Sequence, residues 1–283
     1  MINRILIFTL LKTIALAQSA FPGLNSWTHS NTVGLAGGGY IIPNQNEFRN
    51  AGSLVRPDRL FQLSLIKYPA DISAQSIIAN GNFKKHYIGL FVKNINYGIF
   101  DFRTDENIKL GTFSANDTHL KIGYAKSVYK DKLILGVNTG IFLSQIDSYK
   151  AKLLTASPAL LLKGNEVSLG FSIENLARVI ESYTNDKTKP YPSYVISLYK
   201  LYNQIPIEAE VSHSFSNENN NNVTSISFLY KLSMKSYIKA GISSNRLSRV
   251  QGDSFVKNLF NDAGLGFGYD FDEFYLDFNI YSY

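Results

Sequence analysis

A chain of 283 residues with no cysteine and a net charge of +6 excludes disulfide scaffolds, thiol metal sites, catalytic thiols and lipoprotein anchoring. Arg4 and Lys12 contribute two of those charges, and the +4 left after residue 17 is scattered singly, a poor footprint for nucleic acid. Mean hydropathy of -0.07, with 18 Tyr, 19 Phe and one Trp, suits a membrane barrel: inward polar residues average against outward apolar ones, and aromatic girdles mark the rims.

The chain starts with a short basic segment, Met1 to Arg4, followed by a mostly apolar run from Ile5 to Leu16. Small residues at Ala15-Leu16-Ala17 precede a cut ahead of Gln18, so residues 1–17 read as a secretory signal peptide. Residues 18–59 are Gly-rich and strand-poor, with Gly34-Leu35-Ala36-Gly37-Gly38-Gly39 and then Asn50-Ala51-Gly52-Ser53-Leu54. Two readings stay open for them: a plug folded into a barrel lumen, or a periplasmic tail with a first strand.

From residue 60 to 283 the pattern is period two, the strand signal. Runs begin near Phe61, Tyr87, Asn96, Thr118, Lys132, Tyr149, Tyr194 and Ser236. Val167, Leu169, Phe171 and Ile173 oppose Glu166, Ser168, Gly170 and Ser172, and Ile207, Ala209 and Val211 oppose Glu208, Glu210 and Ser212. In the last hairpin Gly264, Gly266 and Gly268 oppose Leu265, Phe267 and Tyr269, and then Phe274, Leu276, Phe278 and Ile280 share one face. No segment holds the roughly eighteen uninterrupted apolar residues of a membrane helix. The expectation is a single-domain, all-β, transmembrane antiparallel barrel of about twelve to fourteen strands, each near the roughly ten-residue spanning length.

Catalytic constellations are lacking. His29, His86, His119 and His213 show no metal-ligand spacing, and Ser212 and His213 are adjacent on one strand and so face opposite ways. His119 with Ser114 stays open as a base and nucleophile pair. The alternating Gly264, Gly266 and Gly268 lack the strand-to-helix setting of a dinucleotide site. The chain therefore reads as noncatalytic, with no cofactor. Lys84-Lys85 and Arg246 with Arg249 read as rim residues, and Asn219 to Asn222 as a polar loop. If the C-terminus is periplasmic, Lys163–Asn165 and Asp270–Glu273 face outward while Leu176–Pro192 and Ser244–Asn261 face the periplasm. That inverts the usual short-turn rule and favours a periplasmic partner.

Several pieces recur in a known order. They are Asn50 and Gly52 in the segment Asn50–Leu54; Gly111, Phe113 and Asp117 in Gly111-Thr112-Phe113-Ser114-Ala115-Asn116-Asp117; Tyr149-x-Ala151; Glu174-Asn175-Leu176; Pro206 opening a strand; and the Gly264, Gly266, Gly268 hairpin. In these the chain resembles the PorV/PorQ group of outer-membrane barrels, related in fold to the FadL fatty-acid transporters. The resemblance implies a noncatalytic barrel in the outer membrane of a diderm bacterium, touching its lipid. Such a barrel binds or anchors secreted proteins or secretion-system partners of type IX secretion. The alternative it implies is a FadL-like transporter with a hydrophobic ligand in the lumen. Physically, Gly111 is expected in a turn that needs positive φ and Asp117 as a turn-capping acceptor.

Overall fold

The computed structural model describes residues 21–184, 189–216, 222–244 and 262–282. The expected signal peptide, the asparagines at 219–221 and both Arg246 and Arg249 lie outside the described residues.

The period-two pattern becomes one antiparallel sheet of fourteen strands. In chain order they are β1 (Leu60–Lys67), β2 (Ser73–Phe83), β3 (His86–Arg103), β4 (Lys109–Tyr129), β5 (Leu133–Ile146), β6 (Tyr149–Lys163), β7 (Val167–Glu174), β8 (Leu176–Glu181), β9 (Ser193–Tyr202), β10 (Ile207–Ser216), β11 (Val223–Lys231), β12 (Ser236–Ser243), β13 (Ala263–Asp270) and β14 (Tyr275–Ser282). Glu208, Glu210 and Ser212 of β10 are buried while Val211 between them is exposed. The side that faces water in a soluble sheet is thus the apolar side here, the inversion a lipid-facing barrel requires.

Strands β7 and β8 are one broken strand. Both pair with β6, β7 through Ala159–Lys163 and β8 through Lys152–Ala156, leaving Ser157 and Pro158 between them. Proline has no N–H to give the ladder. Opposite it Asn175 takes a left-handed conformation, φ +58, and its N–H donates to Ser157 Oγ at 3.1 Å. Leu176–Glu181 is therefore strand, where a loop was expected from Leu176 to Pro192.

Merging β7 with β8 leaves thirteen passes, each antiparallel to its neighbours. Because the number is odd, β1 and β14 run in the same direction. No ladder joins them among the described residues. Connections at 84–85, 130–132, 164–166, 203–206, 232–235 and 271–274 form a turn end, and those at 68–72, 104–108 and 147–148 lie at the opposite, loop end.

Two expectations are corrected in β3 and β4. The runs near Tyr87 and Asn96 belong to one strand, irregular between Asn96 and Ile99, where Gly98 has φ +90. Gly111 to Asp117 is no turn: it lies inside β4, Gly111 is absent from the positive-φ residues, and Asp117 accepts from Tyr97, Ser144 and the Gly23 backbone of residues 21–59 instead of capping a turn of its own. The physical reason is that β4 runs 21 residues, about twice a spanning length, so the segment pairs with β3 instead of reversing the chain.

Candidate functional site in the lumen and at the loop end

Residues 21–59 run through the space the sheet encloses, from Phe21 beside Phe142 and Tyr183 near the loop end to Leu60 at the turn end. Gly-rich sequence permits this. Backbone is brought close to backbone at Gly264, where an added Cβ would strike the Val33 and Gly34 carbonyls, and at Gly241, where it would strike Leu35. Asn50 caps the 3-10 turn Ala51–Leu54 by accepting from Gly52 N–H at 2.9 Å, while its amide donates to Leu160 and Phe171 carbonyls on β6 and β7. Leu35, Ile42, Phe48 and Leu54 then pack with Ile78, Phe91 and Ile134 from the wall as one apolar core.

Charge fixes the rest of the plug. The Glu210 carboxylate of β10 accepts the N–H groups of Tyr40, Ile41 and Ile42 at 2.8, 2.8 and 3.0 Å. Lys239 of β12, 0% exposed, reaches Asp277 of β14 at 2.7 Å and donates to Asn31 and Gln45 of the plug at 2.7 and 2.6 Å. Glu47 meets Lys93 of β3 at 2.7 Å and Arg49 at 3.5 Å, and Arg49 lies over the Tyr40 ring while donating to the Gly37 and Gly38 carbonyls. Burial alone would raise the Glu47 carboxyl, but Lys93 and Arg49 hold it well below the usual carboxylate range. Burial pushes His29 down to about 4, so it stays neutral and its Nδ1 accepts Asn31 N–H at 3.3 Å, capping the short helix α1 (Ser30–Gly34).

On the loop-end side of the plug an internal cavity of about 240 Å³ remains. Arg49, Lys93, Lys121, Glu47, Glu174 and Asn138 line it, together with a row of serines on β10. Its chemistry is that of a polar vestibule with three basic side chains against two acidic ones, and not of an acyl-chain pocket.

At the loop end β3 and β4 outrun their neighbours. β2 pairs with β3 no further than Asn96, and β5 with β4 no further than Ala115, so residues 97–114 form a projecting two-stranded ribbon. Ile99, Phe102, Ile108 and Leu110 are exposed along it, and Phe113 stacks on Phe100 at 5.3 Å. Asp101 pairs with Arg103 and Lys109 across its tip.

Among solved structures the chain is similar to one described as the crystal structure of a Pseudomonas aeruginosa FadL homologue, with a TM-score of 0.52 and 11% identity over 89% of this chain and 88% of that one. The fold is FadL-like. No protein family and no curated protein matches the chain.

Within this FadL-like barrel the motif residues are spread along its height. Asn50 and Gly52 lock the plug to β6, where a Cβ on Gly52 would meet Leu161 at 2.7 Å. Gly111 and Phe113 belong to the ribbon, and Gly111 has open space around it. Asp117, buried below the ribbon, accepts from Tyr97 OH at 2.7 Å, from Ser144 and from the backbone N–H of Gly23 in the plug. Gly264 admits the plug backbone, while Gly266 and Gly268 make room for Lys239 and Tyr237. His119 bonds to Thr155 at 2.8 Å; Ser114, an odd number of residues away on the same strand, faces the other way, so the two form no catalytic pair. Among the described residues no three His, Asp or Glu gather as a metal site.

Sequence reasoning missed the ionic locks and the ribbon. Glu208, Glu210 and Lys239 were visible as inward charges, a costly choice without partners and so a signal of a filled lumen. The apolar residues of 97–114 carried the ribbon, masked by splitting β3 and reading a turn into β4.

Proposed function

We propose that the protein is a plugged, noncatalytic outer-membrane barrel that binds or anchors secreted proteins or secretion-system partners, as its resemblance to the PorV/PorQ group implies. The observation that carries this reading is the lumen: the plug fills it, buried carboxylates and cations tie it to the wall, and the remaining cavity is polar. A barrel closed in this way acts at its surface. The ribbon 97–114 offers that surface, because exposed aromatic and aliphatic side chains on a projecting hairpin are the chemistry of a protein contact.

Affinity copurification from detergent-solubilised outer membranes, followed by mass spectrometry, tests the proposal. Recovery of secretion components or of proteins with C-terminal sorting domains, lost in a Phe100→Ser/Phe102→Ser variant, supports it. A second reading, FadL-like transport of hydrophobic small molecules, is favoured by the fold and by the β7/β8 break, whose residues Ser157, Glu174 and Asn175 line the cavity. A partner-free barrel carrying fatty acid would sink the first reading in favour of the second.

A further inference from the structure

The seam between β1 and β14 is unlike every other strand boundary in the sheet. All others are antiparallel ladders, whereas here two strands of the same direction stand side by side with no ladder among the described residues. Their outward side chains show it. Phe61, Leu63 and Leu65 on β1 are 65, 66 and 79% exposed and Phe278 and Ile280 on β14 are 68% each, with Leu276 at 44%, against 41–42% for Ile77 on β2 and for Leu265 and Phe267 on β13 and 59% for Ile122 on β4. A flanking strand on each side accounts for the lower values.

The lumen side of the seam is closed at three heights. Gln62 of β1 bonds to Tyr275 of β14 near the turn end. Midway, α1 donates Ser30 N–H to Ser64 Oγ of β1 at 2.7 Å and sets Gly34 against Asn279 of β14. Toward the loop end Trp27 packs edge-on against Tyr281 of β14 at 5.0 Å and accepts Tyr68 OH, just past β1, at 2.6 Å. The gap is thus backed by plug and faces lipid, where unpaired backbone polar groups find no water.

Parity says what fits. A parallel closure needs the two edges to meet directly, yet side chains and a helix bridge them instead. One inserted strand of opposite direction pairs antiparallel with both β1 and β14 and raises thirteen passes to fourteen. We infer that the β1–β14 seam accepts a single extended segment of another polypeptide, about eight residues alternating apolar and polar, running antiparallel to both edges. This deepens the partner-binding proposal and rests on its membrane reading.

The test uses the full-length protein folded into phospholipid vesicles, which is convenient because the chain has no native cysteine. Leu65→Cys and Phe278→Cys are level on the outward face, given that Gln62 reaches Tyr275. Leu198→Cys on β9, 50% exposed and flanked on both sides, is the control. The probe is a synthetic peptide of about ten residues, alternating valine and threonine with one cysteine near either end. The expected result is disulfide capture at the two seam positions at least about tenfold above the control. Leu65 lies in the loop-end half of β1 and Phe278 is level with it, so an antiparallel segment should be caught by a cysteine near its N-terminus in preference to one near its C-terminus. Equal capture at all three sites, a register parallel to the edges, or a disulfide-linked dimer of the protein through the seam would each overturn the inference. So would high-yield disulfide formation within a Leu65→Cys/Phe278→Cys double variant without peptide, which shows the seam closing on itself. Protease-resistant, heat-modifiable insertion into the vesicles is read in parallel. If insertion fails, the membrane reading falls and the seam inference falls with it; if insertion succeeds and the seam self-closes, only the inference falls.

Discussion

Removing the Glu210 carboxylate should release the plug locally while leaving the barrel folded. The carboxylate is buried, 1% exposed, and is the acceptor for three successive N–H groups at 2.8 to 3.0 Å. Bonds to a charged group contribute about 1.5–3 kcal/mol each, and an orphaned buried donor costs about 1–3 kcal/mol. Three donors cannot all find water in a lumen packed with Ile41, Ile42 and Tyr40, so Glu210→Ala should cost roughly 3–6 kcal/mol of local plug stability. Glu210→Gln keeps one acceptor oxygen and turns two amide hydrogens toward donors, for a loss of roughly 1–3 kcal/mol. At about 1.4 kcal/mol per tenfold, amide hydrogen exchange at residues 40–42 should accelerate roughly 10²–10⁴-fold in the alanine variant and at most about a hundredfold in the glutamine variant. Exchange in β5 and β6 should stay unchanged. Unaltered exchange at 40–42 in Glu210→Ala would refute the claim that this carboxylate holds the plug, and uniform acceleration across the strands would show that it holds the whole barrel instead.

Other consequences are smaller in scope. Lys239→Met strands Asp277 in a buried site and should lower stability by about 3–5 kcal/mol, measured by urea unfolding in vesicles, with partial recovery in Lys239→Met/Asp277→Leu. Gly264→Ala drives a Cβ into the Val33 and Gly34 carbonyls and should cost about 1–3 kcal/mol, whereas Gly111→Ala, with nothing within 4 Å, should stay within about 0.5 kcal/mol. The neutral state of His29 is lost on acidification: its folded pKa lies below the unfolded 6.5, so the stabilisation is complete above pH 6.5 and is lost as pH falls from there to about 4. Hydrogen exchange in α1 should rise over that window and flatten in His29→Asn, which keeps the cap. The Glu47 contribution, set by a depressed carboxyl, should persist well below the ordinary carboxylate range near 4.5.

The barrel itself was legible because lipid-facing alternation needs only residue order, and strand after strand repeats it. Strand boundaries were less so. The alternating run near Asn96 was visible, but not that it continues the strand from Tyr87, because that continuity depends on β4 extending equally far on the other side of the turn. The β7/β8 break was partly visible: Pro158 within an alternating run signals a lost ladder bond, but its consequence falls on Asn175, which is distant in sequence and adjacent only in the sheet. Gly264, Gly266 and Gly268 were legible as one face of the last hairpin, and the structure adds what crowds them: plug backbone at Gly264, Lys239 and Asn279 at Gly266, and the Tyr237 ring at Gly268. The pairings of Glu210 with Tyr40–Ile42 and of Lys239 with Asn31 span more than 160 residues and follow from no local pattern.

The placement of these long-range locks bears on function. A transporter's plug must yield at modest cost, so its contacts with the wall are expected to be few, hydrated and easily exchanged. Here the tethers come from opposite parts of the wall: Glu210 on β10, Lys239 on β12 and Lys93 on β3. No single hinge releases all three, since each grips a different stretch of residues 31–47. Breaking any one leaves a charge in a lumen whose remaining polar cavity already holds Glu47 paired with Lys93 and Arg49. Opening would then have to break all three locks together, a cost of several kcal/mol for each buried charge left without its partner. A surface role uses the same construction without that cost: a rigid plug holds the seam, the rim and the base of the ribbon in fixed relation, with Asp117 accepting the Gly23 backbone N–H where the ribbon leaves the barrel. Planar-bilayer recordings provide the check. The wild-type barrel should stay closed, while Glu210→Ala/Lys239→Met should show discrete conductance. Steady conductance from the wild type would mean that the locks do not seal the lumen and would return the weight to transport.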